Sequence, residues 1–233
     1  MDTLMHALHV DNLGGDGQTM EPAMALALSA SFGSVERWRE AFIAMAKAQG
    51  GGSGWLLLTF QPREGMLVNH RAADHTQALA GGVPILVLDR HEHTANIAWA
   101  PVYQRYQDAV HAASEPFGAP QEDVGSSLVF DVRRAGVFDK APSMIPGARW
   151  CDPASVGQWA SELPADRDIV VYCVYGHEVG RVTAMRLRAA GLRARYLRGG
   201  IDAWQAAGQP LAPKGAPGGE HRGSGAGGRV DEG

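Results

Sequence analysis

At 233 residues the chain is long for one compact domain and sufficient for two of roughly 100 residues each. A formal charge of -4 offers no basic surface for phosphates, which excludes nucleic acid as an expected partner. Two cysteines, Cys151 and Cys173, are too few for a disulfide scaffold; with neither a signal-type start nor a long apolar run, the sequence reads as cytoplasmic, without a membrane partner.

In chain order, "MHALHVDNLGG" places His6 and His9 one helical turn apart. The steps between Val35, Trp38, Phe42 and Met45 predict an amphipathic helix, which the following glycine run stops. "WLLLTF", "MLVNH" and "PILVLD", bounded by Gly and Pro, predict three short strands of an antiparallel sheet. "PVYQRYQDAVHAA", with Pro101 in its first turn, predicts a helix closing the first module at residues 1–113. Residues 114–127, rich in Ser, Pro, Gly and acids, are expected to be a linker. Beyond it, "LVFDV", "DIVVYC" and "RARYLR" alternate with helical stretches, which predicts a second, α/β module at 128–213 around a mainly parallel sheet. Residues 214–233, glycine-rich with almost nothing to bury, are expected to be a disordered tail.

Asp89 ends a predicted strand and His93 follows within one helical turn, so a carboxylate and an imidazole could meet from two rigid elements. His6 before "NLGGDG", "SFGSVERW" at 31–38, "GSGW" at 52–55 and "DRHEH" at 89–93 stand in the order in which such segments occur in the iron/manganese superoxide dismutases. The first module resembles that family from its second metal histidine onward. The resemblance implies an α+β domain of helices plus a three-stranded antiparallel sheet, with superoxide converted to hydrogen peroxide and oxygen. It assigns His6, Asp89 and His93 as three of four ligands to iron or manganese, a donor set that suits a metal cycling between two oxidation states. The fourth ligand belongs to an N-terminal helical hairpin that is expected to be missing, with His9 or His91 as substitutes. The resemblance also places His75 in the outer shell and Glu92 across a twofold interface, which implies a homodimer. The alternative is a non-catalytic, dismutase-derived scaffold for binding or dimerisation.

Cys173 ends a predicted strand, ahead of a short loop and a helix. Loop amides and a helix N-terminus aimed at its sulfur are expected to favour the nucleophilic thiolate. "LVFDVRRAGVFDKAPSMIPGARW", with Asp131 and Arg133, "YCVYGHEVGR", and "RYLRGGIDAWQAAGQP" together resemble a single rhodanese domain over about residues 122–212. That resemblance implies sulfur transfer, in which Cys173 takes sulfur from a sulfane donor, holds it as a persulfide and passes it to a thiol acceptor. Gly176 keeps the pattern of the loop, and His177 follows it. Glu178 departs from it: a carboxylate there is expected to oppose the thiolate and repel thiosulfate, favouring a protein or small-molecule persulfide as donor. The spacing of a cysteine phosphatase would need arginine where Val179 stands.

Overall fold

The computed structural model of the chain describes residues 2–15, 20–48, 54–72, 80–89 and 96–214. His75, His91, Glu92 and His93, together with the glycine-rich tail from residue 215, lie outside the described residues.

The first module runs α1 (Asp2–Asp11), α2 (Pro22–Phe32), α3 (Val35–Lys47), β1 (Trp55–Gln61), β2 (Met66–Ala72), β3 (Val83–Asp89) and α4 (Trp99–Ser114). Its strands form an antiparallel sheet in the order β2-β1-β3, as the three apolar runs predict. β1 has no polar alternation because both its faces are covered. Leu56, Leu58 and Phe60 join Trp38, Phe42, Val102 and Tyr106 in one cluster, while Trp55 and Leu57 face Met5 of α1 in another. The predicted amphipathic helix is α3, started by Ser34, whose Oγ accepts the Arg37 N–H at 3.0 Å.

Ahead of it stands a helix that periodicity did not reveal. α2, "PAMALALSASF", is small and apolar around most of its circumference, the composition of a helix covered on more than one side. It packs on β2 and also reaches Pro153 and Val179 of the second module.

The second module contains β4 (Gly118–Ala119), β5 (Leu128–Asp131), α5 (Ala135–Phe138), β6 (Ser143–Met144), β7 (Arg149–Trp150), α6 (Val156–Trp159), β8 (Asp168–Tyr172), α7 (Glu178–Ala189), β9 (Arg193–Leu197), α8 (Gly200–Ala206) and β10 (Ala212–Pro213). Five strands form the expected parallel sheet in the order β4-β9-β8-β5-β7, and β6 pairs with β10 apart from it. The cysteine strand β8 is central. The stretch read as a linker is built into this module instead: two 3-10 turns, Glu115–Phe117 and Gln121–Ser126, flank β4, which pairs with β9. Pro, Gly and Ser shape tight turns as readily as they loosen a chain, so composition alone did not separate the two outcomes.

No described helix is long and apolar enough to cross a membrane.

α7 belongs to both cores. Val182 and Met185 join the cluster of the first module, whereas Ala184 and Leu187 join that of the second. Arg186, on the same helix, crosses the junction: Nε donates to the Gly65 carbonyl at 3.0 Å, Nη1 to that of Ala30 at 3.3 Å and Nη2 to Ser31 Oγ at 3.1 Å. Burial weakens its hold on the proton. Arg186→Ala, which strips three acceptors of a charged donor, is expected to destabilise the chain by about 2 kcal/mol and to split one urea transition into two. Tryptophan fluorescence of the full chain during urea titration measures both effects; an unaltered single transition would show that these bonds do not couple the modules.

Candidate cysteine centre and the first module's metal residues

Two of the three predicted metal ligands lie within the described residues, and both sit at one end of the antiparallel sheet. Asp89 closes β3 directly opposite Trp55 of β1. His6 meets the Trp55 indole edge-on, with ring centres 4.9 Å apart, and His9 meets it at 5.8 Å. His9 Nδ1 also accepts the Asp89 N–H at 3.3 Å, which ties α1 to the strand end. Among the described residues, however, no group of three or more His, Cys, Asp or Glu side chains is placed to hold a metal ion. His6 and Asp89 are brought to a common region without forming a complete donor set, and His93 lies outside the described residues.

The cysteine centre is described throughout. β8 ends at Tyr172; Cys173 follows, then a four-residue loop, then α7 from Glu178. The Cys173 thiol points to the His177 carbonyl at 4.0 Å, a Cβ on Gly180 would stand 3.3 Å from its sulfur, and the backbone amides of Gly180, Gly176, His177 and Tyr175 favour negative charge there. The loop holds this shape because of the glycines around it. Gly176 has φ 69°, and a Cβ there would come within 2.8 Å of the Leu197 carbonyl. A Cβ on Gly200 would lie 2.4 Å from the Val174 carbonyl. That contact lets the start of α8 close on the loop, with Ile201 N–H donating to Cys173 O and Asp202 N–H to Val174 O, each at 3.0 Å.

Charge balance at the sulfur differs from the expectation. The amides do pull the thiol toward ionisation, but Cys173 is only 5% exposed, and burial outweighs them, so its pKa is raised rather than lowered. The resting centre is a protonated thiol in a cradle of donors. Cys151, also free and buried, is likewise pushed up by burial and packs in the core of the second module.

Of the other predicted residues, Arg133, His177 and Glu178 line, with Cys173, an open cavity of about 200 Å³ that Tyr103 and Arg134 also border. Arg133 is anchored: Nε reaches both oxygens of Asp131 at 3.0 Å, and Nη2 donates to the Ser143 carbonyl at 2.9 Å. Asp131 is held in turn by the Tyr172 hydroxyl at 2.9 Å. His177 is exposed at the mouth beside Tyr175, with ring centres 5.8 Å apart. Glu178 does not stand free beside the sulfur; its carboxylate accepts hydrogen bonds from α4 of the first module.

Sequence reasoning missed Gly180 and the two α4 donors. Arg181 locks the loop, with Nε on the Gly176 carbonyl at 2.9 Å and its guanidinium over the Tyr196 ring at 4.3 Å. Gly180 and Gly200 lay within the quoted motifs, so their signal was present. No local signal tied α4 to the cysteine, because the contact joins residues more than 70 positions apart.

Comparison with known proteins finds two family matches along the chain. Residues 20–113 match the family model for the iron/manganese superoxide dismutases, C-terminal domain, and residues 111–207 match that for the rhodanese-like domain. An iron superoxide dismutase of Cupriavidus metallidurans is 48% identical over 106 residues, covering 46% of this chain and 53% of that protein. A manganese superoxide dismutase of Halobacterium salinarum is 35% identical over 127 residues, covering 52% of this chain and 62% of that protein. A sulfurtransferase of Allochromatium vinosum is 34% identical over 103 residues, covering 44% of this chain and 94% of that protein. The chain therefore spans roughly half to three-fifths of those dismutases and nearly all of that sulfurtransferase.

Because burial stabilises the neutral thiol, the thiolate fraction of Cys173 lags that of a free cysteine at every pH. Its alkylation by iodoacetamide, followed by mass spectrometry of the Cys173 peptide, is expected to keep rising beyond the pH at which a free thiol levels off. A midpoint below that of free cysteine would mean that the amides, not burial, dominate.

Proposed function

The chain joins a C-terminal domain of the iron/manganese superoxide dismutases to a rhodanese-like domain, and from that premise we propose that it is a sulfurtransferase whose Cys173 carries sulfur as a persulfide. The observation that carries the reading is the placement of Cys173 in the wall of an open cavity, enclosed by a loop whose backbone amides favour negative charge on the sulfur. Cys173 releases its proton to solvent, and the resulting thiolate attacks the outer sulfur of a donor R–S–SH. The donor's S–S bond breaks, its thiolate departs, and the outer sulfur stays on Cys173. The persulfide anion then sits beside the backbone amides of Tyr175, Gly176, His177 and Gly180, which favour negative charge on the sulfur. An acceptor thiolate takes that sulfur and returns Cys173 to its starting state, with no net oxidation. The cavity volume suits a small persulfide or the side chain of a protein-borne one.

Incubation of the full chain with glutathione persulfide, followed by intact-mass measurement, is expected to add one sulfur to the wild type and none to Cys173→Ser. A wild-type mass that never gains 32 Da, the mass of about one sulfur atom, would overturn the reading.

A second reading, dismutation of superoxide by a homodimer holding iron or manganese, is favoured by the approach of His6 and Asp89 to Trp55. In it, His6, Asp89 and His93 would hold the metal, which would supply the one-electron chemistry. The described donors alone do not complete such a site, and no step is derived through it. Stoichiometric iron or manganese in the purified protein, lost in Asp89→Ala, supports that reading. Metal-free protein that still carries the persulfide supports a first module serving as scaffold.

A further inference from the structure

We propose that Tyr103 and Gln107, on α4 of the dismutase-like module, are positioning residues of the Cys173 centre, which hold the Glu178 carboxylate away from the sulfur and leave the cavity open to anionic donors. The proposal rests on the sulfurtransferase reading and names a part of its machinery that lies in the other module.

Glu178 opens α7, five residues after Cys173 and two before Gly180, where a Cβ would stand 3.3 Å from the sulfur. It is only 5% exposed, so water does little to solvate its charge, and such a carboxylate needs donors from the protein. Those donors come from one face of α4. The Tyr103 hydroxyl donates to Oε2 at 3.3 Å, and Gln107 Nε2 donates to Oε1 at 2.5 Å. His111 Nε2 lies 3.8 Å from the same Oε1. Residues 103, 107 and 111 are spaced by four, which stacks them along a single helical face. Burial, then the charge of Glu178, pushes the Tyr103 phenol up to about 12, so it remains a donor at any physiological pH. His177, Arg181 and Asp108 also face His111, and Glu21 and Arg134 lie near Tyr103.

Tyr103 and Glu178 also line the cavity that contains Cys173. Without the α4 donors, the carboxylate would turn toward the remaining polar space, which is that cavity. There it would oppose both an anionic donor and the negative charge of a persulfide.

The test uses the full chain and two alkylating probes that differ in charge, iodoacetamide (neutral) and iodoacetate (anionic), read at the Cys173 peptide. In Tyr103→Phe/Gln107→Leu, the iodoacetate rate is expected to fall about tenfold relative to the iodoacetamide rate, and the pH midpoint of alkylation to rise. Adding Glu178→Gln to that variant is expected to restore both. An unchanged rate ratio, or a change that Glu178→Gln does not reverse, overturns the proposal; a variant that merely lost its fold would not be rescued. Because neither probe involves a persulfide, a shifted ratio in a protein that never gains sulfur would refute the sulfurtransferase reading and leave the positioning role standing.

Discussion

A buried carboxylate at the head of α7 makes one unit of two modules that the sequence divides. Glu178 projects from the loop that cradles Cys173, yet its hydrogen-bond donors are Tyr103 and Gln107 of the other module. Burying such a group without partners costs several kcal/mol, so its own module presents a surface that depends on α4 being there. The same helix carries Val182 and Met185 into the first core and directs Arg186 onto the Gly65, Ala30 and Ser31 backbone or hydroxyl oxygens. Apolar burial and charged hydrogen bonds thus act along the same seam, and the wall of the cysteine cavity is built across it.

The cysteine itself shows how two opposed effects are resolved by magnitude. Four amides favour a negative sulfur, and burial disfavours it more strongly in the resting thiol. Burial acts on any anion at that depth, whereas the amides reward one that lies within their reach. A cradle of this kind is better matched to a sulfur that acquires charge during transfer than to a permanently ionised thiol. Arg133 contributes order more than free charge, since Asp131 already occupies its guanidinium.

At the far end of the first module, α1 lays His6 and His9 against Trp55 beside the end of β3, where Asp89 stands. Among the described residues these side chains do not form a group of three that could hold a metal ion. Contact between α4 and α7 gives the dismutase-like module a structural part in the thiol site whether or not it binds metal.

Much of this was legible from the chain alone. The three strands of the antiparallel sheet, the helix beginning at Val35, the parallel sheet and the placement of Cys173 after its central strand follow from apolar periodicity and turn residues, which are local properties. Gly176 was legible too, as the glycine that keeps the rhodanese loop pattern; the structure supplies the reason, a positive φ against the Leu197 carbonyl. α2 was not legible, because a helix covered on several sides has no polar face to mark its period. Nor was the direction of the Cys173 pKa, which depends on how much protein covers the sulfur. Glu178 is the sharpest case: its position in the loop suggests repulsion, and only the tertiary contact with Tyr103 and Gln107 reverses that meaning. Sequence determined which groups exist and which local elements carry them; the packing of α4 on α7 decided which charges face the sulfur, because electrostatics in a buried site follows distance in space and not along the chain.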